Sequence, residues 1–291
     1  MGLGIAAVQN TLELSKLGLL EGTNKIAEMG SQELHLTALD LEEMIKMAGL
    51  NNFQKNKFPD IDNWPNSPRC SAKSFYQFLG IKEYVSIDMN KEHGSISLDF
   101  NLPLEDTSLY SQFDLVTDHG ACEHAFNIAE TYRTMHRLCK PKGLIVICQA
   151  LWGGNGYFLY DESFFDGIAA ANNYKIIFNS YVIAAESKTP NGSDNQFHVP
   201  LNRDLLKTID LSKASSINVY VVLQKQDKSD FKFPYQGQYL AKKQGHFGFN
   251  RIYHQNPLSS SFLPEVELTT LTGNEFLKEF FRRIKTKIIK K

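Results

Sequence analysis

Short apolar strands alternate with helical segments through most of this sequence, and that rhythm limits the fold more than any other feature. The strands predicted from the pattern are 25–30, 83–88, 95–100, 113–118, 143–150, 174–185 and 216–225. The predicted helices are 5–20, 32–50, 72–80, 123–139 and 161–173. Several strands are continuously apolar, which is typical of strands buried on both faces. The sequence therefore predicts an α/β fold in which helices cover both faces of a mostly parallel sheet.

The composition limits the class of protein. Of the 291 residues, 42% are hydrophobic, so the chain can bury a full core and is not expected to be disordered. With 31 basic and 32 acidic side chains, the net charge of -1 creates no overall field that favours nucleic acid. The four cysteines are irregularly spaced and indicate no disulfide framework. Because the N-terminus lacks the basic region of a signal peptide and no stretch approaches the roughly 20 apolar residues that cross a bilayer, we expect a cytoplasmic protein.

The chain divides by composition into a main domain and an extension. We expect one domain over residues 1–225, with a proline- and asparagine-rich insertion at about 51–80, and an extension over 226–291. A long polar connection at 186–214 is typical of a functional or disordered loop. The end of the extension, 273–291, has apolar and basic residues at helical spacing. Such a helix can lie on an anionic membrane surface, or it can pack on its own domain or on a second copy of the chain.

The residues that end the predicted strands are the candidates for a site, because an open parallel sheet binds ligands outside the carboxyl ends of its strands. Gly30 ends the strand in KIAEMGSQ, where it either lets the backbone approach a ligand or forms a plain turn. Asp88 ends YVSID, where a carboxylate can accept both hydroxyls of a ribose or cap the next turn. Asp99 ends SISLD, where it can face an adenine amino group, with Phe100 on the flat ring, or form an Asx turn.

The stretch FDLVTDHGACEHAFN, residues 113–127, carries two histidines at the end of a predicted strand. Either His119 or His124 can act as a general base, because the ordinary pKa of a histidine lies near neutrality. His124 can equally hold a loop by hydrogen bonds. Together with Cys122 the two histidines are also metal-ligand types, but their spacing matches no usual structural zinc pattern. We therefore expect no metal site.

Residues 24–150 resemble the core of class I S-adenosylmethionine-dependent methyltransferases. KIAEMGSQ resembles the first motif of that family, YVSID the second and DFNLP the third. The form HG..EH..N, with KP.G after it, resembles a subgroup that methylates small molecules, including sugars and natural products. The resemblance implies a Rossmann-like sheet of seven strands whose last strand is antiparallel. It also implies S-adenosylmethionine as the cofactor and methylation of an oxygen or nitrogen atom of a small-molecule acceptor.

The resemblance also implies roles for individual residues. It places Glu28 and Gly30 beside the methionine part of the cofactor, Asp88 on the ribose, Asp99 on the adenine and His119 near the cofactor. The residues expected to bind the cofactor are Glu28, Gly30, Ser31, Asp88, Met89, Asp99, Phe100 and His119, and the expected catalytic residues are His119 and His124. The first motif keeps a single glycine, and Asp88 follows it at far more than the roughly 20 residues usual for such a fold, so the insertion has to account for the difference.

The segment 149–162 is rich in aromatic residues and glycine. Its aromatic residues are Trp152, Tyr157, Phe158 and Tyr160, and its glycines are Gly153, Gly154 and Gly156. We expect it to form an acceptor wall with a mobile lid or, alternatively, to pack the domain edge. Two other function classes remain open. A non-catalytic binding module tolerates a glycine-poor motif, and an NAD-dependent oxidoreductase or epimerase uses a similar sheet, although the G-x-G-x-x-G motif is missing here.

Overall fold

The computed structural model describes residues 2–189 and 191–235, and a seven-stranded sheet forms its centre. The strands are β1 (Gly2–Leu3), β2 (Lys25–Met29), β3 (Glu33–Leu34), β4 (Glu83–Ile87), β5 (Phe113–His119), β6 (Cys139–Trp152), β7 (Lys175–Ala185), β8 (Asn195–Pro200) and β9 (Ser216–Gln224). The helices are α1 (Ile5–Lys16), α2 (Ala38–Met47), α3 (Ala72–Phe78), α4 (Ile128–Leu138), α5 (Glu162–Ala171) and α6 (Arg203–Thr208).

The large sheet has the strand order β4-β2-β5-β6-β9-β7-β8. Strands β4, β2, β5 and β6 are parallel neighbours. Strand β9 runs antiparallel to β6 and to β7, and β8 runs antiparallel to β7. The prediction of a Rossmann-like, mostly parallel sheet of seven strands is confirmed, and so is the antiparallel direction of the last strand. The parallel strands bring their carboxyl ends to one edge, which is where the candidate residues were expected.

Helices cover both faces of the sheet, as predicted. On the face that we call the α1 face, Ile26, Leu115 and Tyr220 belong to the same buried cluster as side chains of α1, α2 and α3. On the opposite face, which we call the α4 face, Val116 and Ile145 share a cluster with side chains of α4 and α5. The apolar residues that alternate along each central strand therefore fill two separate layers of core.

One of the seven predicted strands does not form. The prediction of a strand over 95–100 is wrong, because Ile96 makes only an isolated parallel bridge to Ile87. The chain then turns away from the sheet. The backbone amide of Asn101 donates to Oδ1 of Asp99 at 2.9 Å, which fixes an Asx turn where a strand would need a continued ladder.

The seventh strand comes instead from the stretch 186–214, which we expected to be a polar loop. Strand β8 lies there, and its Phe197 and Val199 are buried while their neighbours are partly exposed. This alternation with period two is the usual signal of a half-buried strand. Helix α6 follows, and the Asn202 side chain caps it by accepting from two backbone amides.

The helix predicted to begin directly after Gly30 begins later, at Ala38. The side chains of Thr37 and Asp40 form a capping box that fixes this start. Residues 33–34 are extended instead, and as β3 they pair with β1. The glycine turn is therefore followed by a short strand and not by the N-terminus of a helix.

The insertion at about 51–80 folds back towards the carboxyl edge of the sheet. The indole Nε1 of Trp64 donates to the carbonyl of Gly192, between β7 and β8, at 3.2 Å. The Arg69 guanidinium lies 3.1 Å from the Glu33 carboxylate in β3. The extra residues between the first and second motifs thus contact the chain directly after the glycine turn.

After β9, residues 226–235 run along the α4 face. Asn172, which follows α5, exchanges two hydrogen bonds with the backbone of Lys232, at 3.0 and 2.7 Å. His136 of α4 lies 2.7 Å from the Ser229 carbonyl. The predicted helix over 273–291 lies outside the described residues. Among helices in the described ranges, none combines the length and apolar character that crossing a membrane requires.

Candidate functional site

The ends of β2 and β4 meet at the carboxyl edge of the sheet. Gly30, at φ +89°, adopts the left-handed conformation that favours glycine. Its amide donates to the Ile87 carbonyl at 2.8 Å. The next amide, of Ser31, donates to Oδ2 of Asp88 at 2.9 Å, and the Ser31 hydroxyl lies 3.1 Å from the same oxygen. The first two motifs, which are far apart in the sequence, therefore form one unit that joins a turn to a half-buried carboxylate.

The residues of the third motif lie on the next turn. Asp99 is half-buried, and its Oδ1 accepts from the backbone and side-chain amides of Asn101, at 2.9 and 2.8 Å. Asn101 in turn accepts from the backbone amide of Asn127, just before α4, at 2.8 Å. Phe100 packs against the core of the α4 face, whereas Met89, directly after Asp88, is 63% exposed.

Glu28 lies inside the α1 face and is fully buried. The hydroxyl of Tyr84 donates to its carboxylate, and the hydroxyl of Thr117 lies 3.4 Å away. Burial raises the pKa of Glu28 to about 8, against the opposing effect of hydrogen bonds from Tyr84, Thr117 and Tyr76. At neutral pH this carboxyl group is therefore mostly protonated. Its contacts are with hydroxyl groups in the core and not with the unit formed by Ser31 and Asp88.

His119 ends β5 on the α1 face and is 5% exposed. It lies opposite Cys148 of β6, which lies opposite Tyr220 of β9. The ring centroids of His119 and Tyr220 are 6.0 Å apart. Burial lowers the pKa of His119 to about 4, so the imidazole is neutral at physiological pH. Neither ring nitrogen has a hydrogen-bond partner among the described residues.

Asp118 stabilises the turn between β5 and α4 on which His124 lies. Its Oδ1 accepts from the backbone amides of Ala121 and Cys122 at 3.0 and 3.1 Å, and Gln149 of β6 donates to Oδ2. Burial raises the pKa of this carboxyl, while the hydrogen bonds act in the opposite direction. Sequence reasoning missed Gln149, because one glutamine in an apolar strand carries no signal.

His124 lies on that turn, and it is more accessible than His119. Its side chain is 40% exposed, and its Nε2 lies 3.9 Å from Oε1 of the buried Glu123. The segment 122–124 is a single 3-10 turn, so α4 begins at Ile128 and not at residue 123 as predicted. Within residues 2–189 and 191–235, no group of three histidine, cysteine or carboxylate side chains is close enough to hold a metal ion.

The aromatic segment after β6 is divided between core and surface. Tyr160 is buried, whereas Trp152 and Tyr157 are 52% and 74% exposed. A mainly apolar cavity of about 400 Å³ lies where α4 and α5 begin. Its apolar lining comes mainly from Ile128, Phe158, Leu159, Tyr160, Phe164 and Pro234.

The glycines of this segment allow the chain to pass close to Glu123. A Cβ atom at Gly156 would lie 2.6 Å from the Glu123 Cγ, which no side chain can accommodate. Gly153 is at φ +74°, in the left-handed region. The Tyr157 amide donates to the Glu123 carbonyl at 2.9 Å. The loop is therefore packed directly on the turn that presents His124.

The comparisons with known proteins give weak likenesses to methyltransferases. No protein-family model matches the sequence, and neither does any curated protein. The 1,6-didemethyltoxoflavin-N1-methyltransferase of Burkholderia thailandensis, solved with 1,6-didemethyltoxoflavin and S-adenosylhomocysteine, is 11% identical over 76% of this chain and 79% of its own, with a TM-score of 0.40.

Two further matches are similar in extent. An S-adenosylmethionine-dependent methyltransferase of Thermotoga maritima is 12% identical over 75% of this chain and 92% of its own, with a TM-score of 0.37. Another, of Archaeoglobus fulgidus, is 11% identical over 74% of this chain and 94% of its own, with a TM-score of 0.38. At these values the matches assign no activity to this chain, and its function has to be inferred from its own residues.

Proposed function

We propose that this protein is an S-adenosylmethionine-dependent methyltransferase that acts on a small molecule. The observation that carries the proposal is the contact of Ser31 with Asp88. It sets a carboxylate at the end of one parallel strand against the glycine turn that ends the neighbouring strand. In an open parallel sheet this is a place where a ribose and the groups attached to it can bind. The sequence resemblance points to the same two segments.

The residues at this edge fit an adenosyl cofactor. Asp88 is half-buried and is the proposed acceptor for the ribose hydroxyls. Asp99 and Phe100 are proposed to contact the adenine, and Glu28, Gly30, Ser31, Met89 and His119 complete the proposed set. Buried polar atoms near this edge support the fit, because Oε1 of Gln32 and both ring nitrogens of His119 have no hydrogen-bond partner within residues 2–189 and 191–235. Buried polar atoms normally have a partner, so these favour a polar ligand.

The two histidines are proposed to have different roles. When bound, S-adenosylmethionine supplies an electrophilic methyl group on a sulfonium sulfur. The contribution of the chain is then to position the acceptor and to exclude water. We assign the removal of a proton from an acceptor hydroxyl to His124, which is partly exposed and lies beside Glu123. With its pKa lowered to about 4, His119 is a weak base, and we assign it to binding. An acceptor amine that is already neutral needs no base.

The acceptor is proposed to bind in the cavity at the start of α4 and α5. That cavity is lined mostly by aromatic and aliphatic side chains, and Asp161 and Ser163 add polar groups at its wall. Such a lining suits a flat, mainly apolar body that carries a hydroxyl or an amine. This favours a natural-product type of acceptor over a free sugar.

The fold also bears on the alternative functions. A dinucleotide needs the N-terminus of a helix at its pyrophosphate. Here the glycine turn leads into β3, and α2 begins only at Ala38. An NAD-dependent oxidoreductase or epimerase is therefore disfavoured. S-adenosylmethionine has no phosphate and does not need that feature. A non-catalytic binding module remains the second candidate, and the single glycine of the first motif favours it.

Replacing Asp88 tests the proposal directly. We expect Asp88→Ala to weaken binding of S-adenosylhomocysteine at least about tenfold, equivalent to about 1.4 kcal/mol, in isothermal titration calorimetry. Asp106→Ala is the matched control, because Asp106 also accepts from the backbone amide and hydroxyl of one serine, Ser108, but lies in the connection that precedes β5. Wild-type affinity in Asp88→Ala would contradict the assignment.

A further inference from the structure

A cavity of about 380 Å³ lies at the opposite edge of the sheet from the proposed cofactor site. Its lining includes Tyr110 and Ser111 just before β5, Arg133 and Arg137 in the second half of α4, and residues 228–231 after β9. Because β9 runs antiparallel to β6, its end lies beside the starts of the parallel strands. The rule that places ligands at the carboxyl ends of parallel strands therefore does not account for this cavity, which we call the basic cavity.

Positive charge dominates the lining of the basic cavity. Among the described residues that line it, four are cationic and one, Asp230, is acidic. The cations are Arg133, Arg137, Lys225 and Lys228. Glu130 pairs with both arginines, and Asp227 lies next to the lining residues, so one positive charge remains when both carboxylates are counted. Burial lowers the pKa of His136 in the wall to about 4, so this imidazole is neutral.

The two arginines lie one helical turn apart on α4 and keep most of their donors free. The buried Glu130 pairs with Arg133 at 2.7 Å and with Arg137 at 3.6 Å. The Arg137 guanidinium lies 5.4 Å from the ring centroid of Tyr110, and that of Arg133 lies 4.8 Å from the ring centroid of Phe233. The side chain of Arg137 makes no hydrogen bond to the residues that the structure describes, and that of Arg133 makes one. Two guanidinium groups with free donors are typical of sites that bind phosphate or carboxylate groups.

A buried lysine lines the same cavity. Lys225 is 3% exposed, and its Nζ donates to the carbonyls of His136 and Cys139 at 2.7 and 3.0 Å. An ammonium group has three N–H donors, so one is left for a further partner. Burial lowers the pKa of Lys225, and an anion in the cavity would oppose that effect. Because buried charges are normally paired, this lysine favours an anionic ligand.

The size and the walls of the basic cavity indicate a molecule larger than an inorganic ion. Its volume lies in the usual range for small-molecule sites. Tyr110 and Phe231 add aromatic surface next to the guanidinium groups. Lys228 and Asp230 are exposed, so the cavity opens to solvent. A phosphate monoester, with a charge of about −2 at neutral pH, suits four cations better than a carboxylate with its single charge.

We propose that the basic cavity binds a small molecule that carries a phosphate group. In this arrangement Arg133 and Arg137 bind the phosphate, and Tyr110 and Phe231 contact the organic part. The site is separate from the proposed cofactor site and does not depend on the proposed function. The segment after β9 borders both cavities, with Phe231 in this one and Pro234 in the cavity at the start of α4 and α5. A molecule in the basic cavity would therefore contact the segment that also borders the proposed acceptor site.

Phenyl phosphate is the probe for this proposal, because it joins a phosphate monoester to a flat ring. We expect the full chain to bind one equivalent in isothermal titration calorimetry at constant ionic strength. Arg137→Gln should weaken this binding at least about tenfold. It should leave the unfolding midpoint in urea nearly unchanged, because the ion pair of Arg137 is long and partly exposed. Arg137→Lys keeps the charge without the planar fork, so we expect an intermediate affinity.

An arginine outside the basic cavity provides the matched control. Arg203 of α6 also pairs with two carboxylates, Asp161 and Glu162, and Arg203→Gln should bind phenyl phosphate as the wild type does. Saturating S-adenosylhomocysteine should not displace phenyl phosphate. The proposal is overturned if the wild type shows no saturable binding at millimolar concentrations, or if Arg137→Gln keeps the wild-type affinity. Displacement by S-adenosylhomocysteine would also overturn it, because the phosphate would then bind at the cofactor site.

Discussion

Glu28 shows how strongly the surroundings of one residue set its chemistry. The resemblance assigns it to the cofactor, and the structure surrounds its carboxyl group with the hydroxyls of Tyr84, Thr117 and Tyr76. A carboxyl group with a pKa near 8 is a hydrogen-bond donor at neutral pH. Its protonation state cannot be read from the sequence, because the three hydroxyls come from different strands and from α3.

The raised pKa of Glu28 predicts a specific dependence of stability on pH. The folded state keeps its proton up to about pH 8, and the unfolded chain releases it near pH 4.5. Between these pH values the folded state binds more protons than the unfolded chain. The contribution of Glu28 to the free energy of unfolding therefore falls as pH rises. Glu28→Gln removes that dependence. We expect the variant to be more stable than the wild type at pH 8, by on the order of a few kcal/mol, and the difference to shrink towards pH 5.

Urea unfolding of both proteins at pH 5, 6.5 and 8 measures this difference. All other titrating groups are the same in the two proteins. The difference in unfolding free energy between wild type and variant at one pH therefore reports on Glu28 alone. An identical pH slope in wild type and variant would show that Glu28 is ionised in the folded protein.

At the scale of elements, the sequence predicted the strands that are continuously apolar and failed where pairing depends on distant partners. Strands β2, β4, β5 and β7 are found within a residue or two of the predicted bounds. The segment 95–100 has the composition of a strand, but the Asx turn at Asp99 ends its pairing. Strand β8 was missed because polar residues flank its alternating Phe197 and Val199, and only pairing with β7 reveals the pattern.

The insertion is an element whose contacts can be tested through Trp64. The indole lies 4.9 Å from the His35 ring, under the Arg69 guanidinium, and donates to the Gly192 carbonyl. We expect Trp64→Phe to lose about 1–2 kcal/mol of unfolding free energy, because it loses the hydrogen bond and part of the ring contact. Urea unfolding measures the loss.

The other tryptophan is the matched control. Trp152 is 52% exposed, and Trp152→Phe should change the unfolding free energy by less than about 0.5 kcal/mol. Equal effects of the two substitutions would mean that the insertion is not held to β3 and to the connection between β7 and β8.

At the scale of the whole molecule, the order of the strands decides which residues meet. The rule that ligands bind at the carboxyl ends of parallel strands was enough to bring Gly30, Ser31 and Asp88 together from the sequence. It was not enough to find Gln149, which comes from β6 and donates to the Asp118 carboxylate at the end of β5. That contact depends on how β5 and β6 pair, which no local pattern encodes.

The central claim is that the carboxyl edge of this sheet binds an adenosyl cofactor that has no phosphate groups. Thermal unfolding of the wild-type protein with S-adenosylhomocysteine or NAD, each at the same concentration, tests it most directly. A ligand present at about 100 times its Kd adds about 2.7 kcal/mol of stability, so we expect S-adenosylhomocysteine to raise the Tm by about 5 °C or more and NAD to leave it unchanged. A rise with NAD alone, or no rise with either ligand, would contradict the claim.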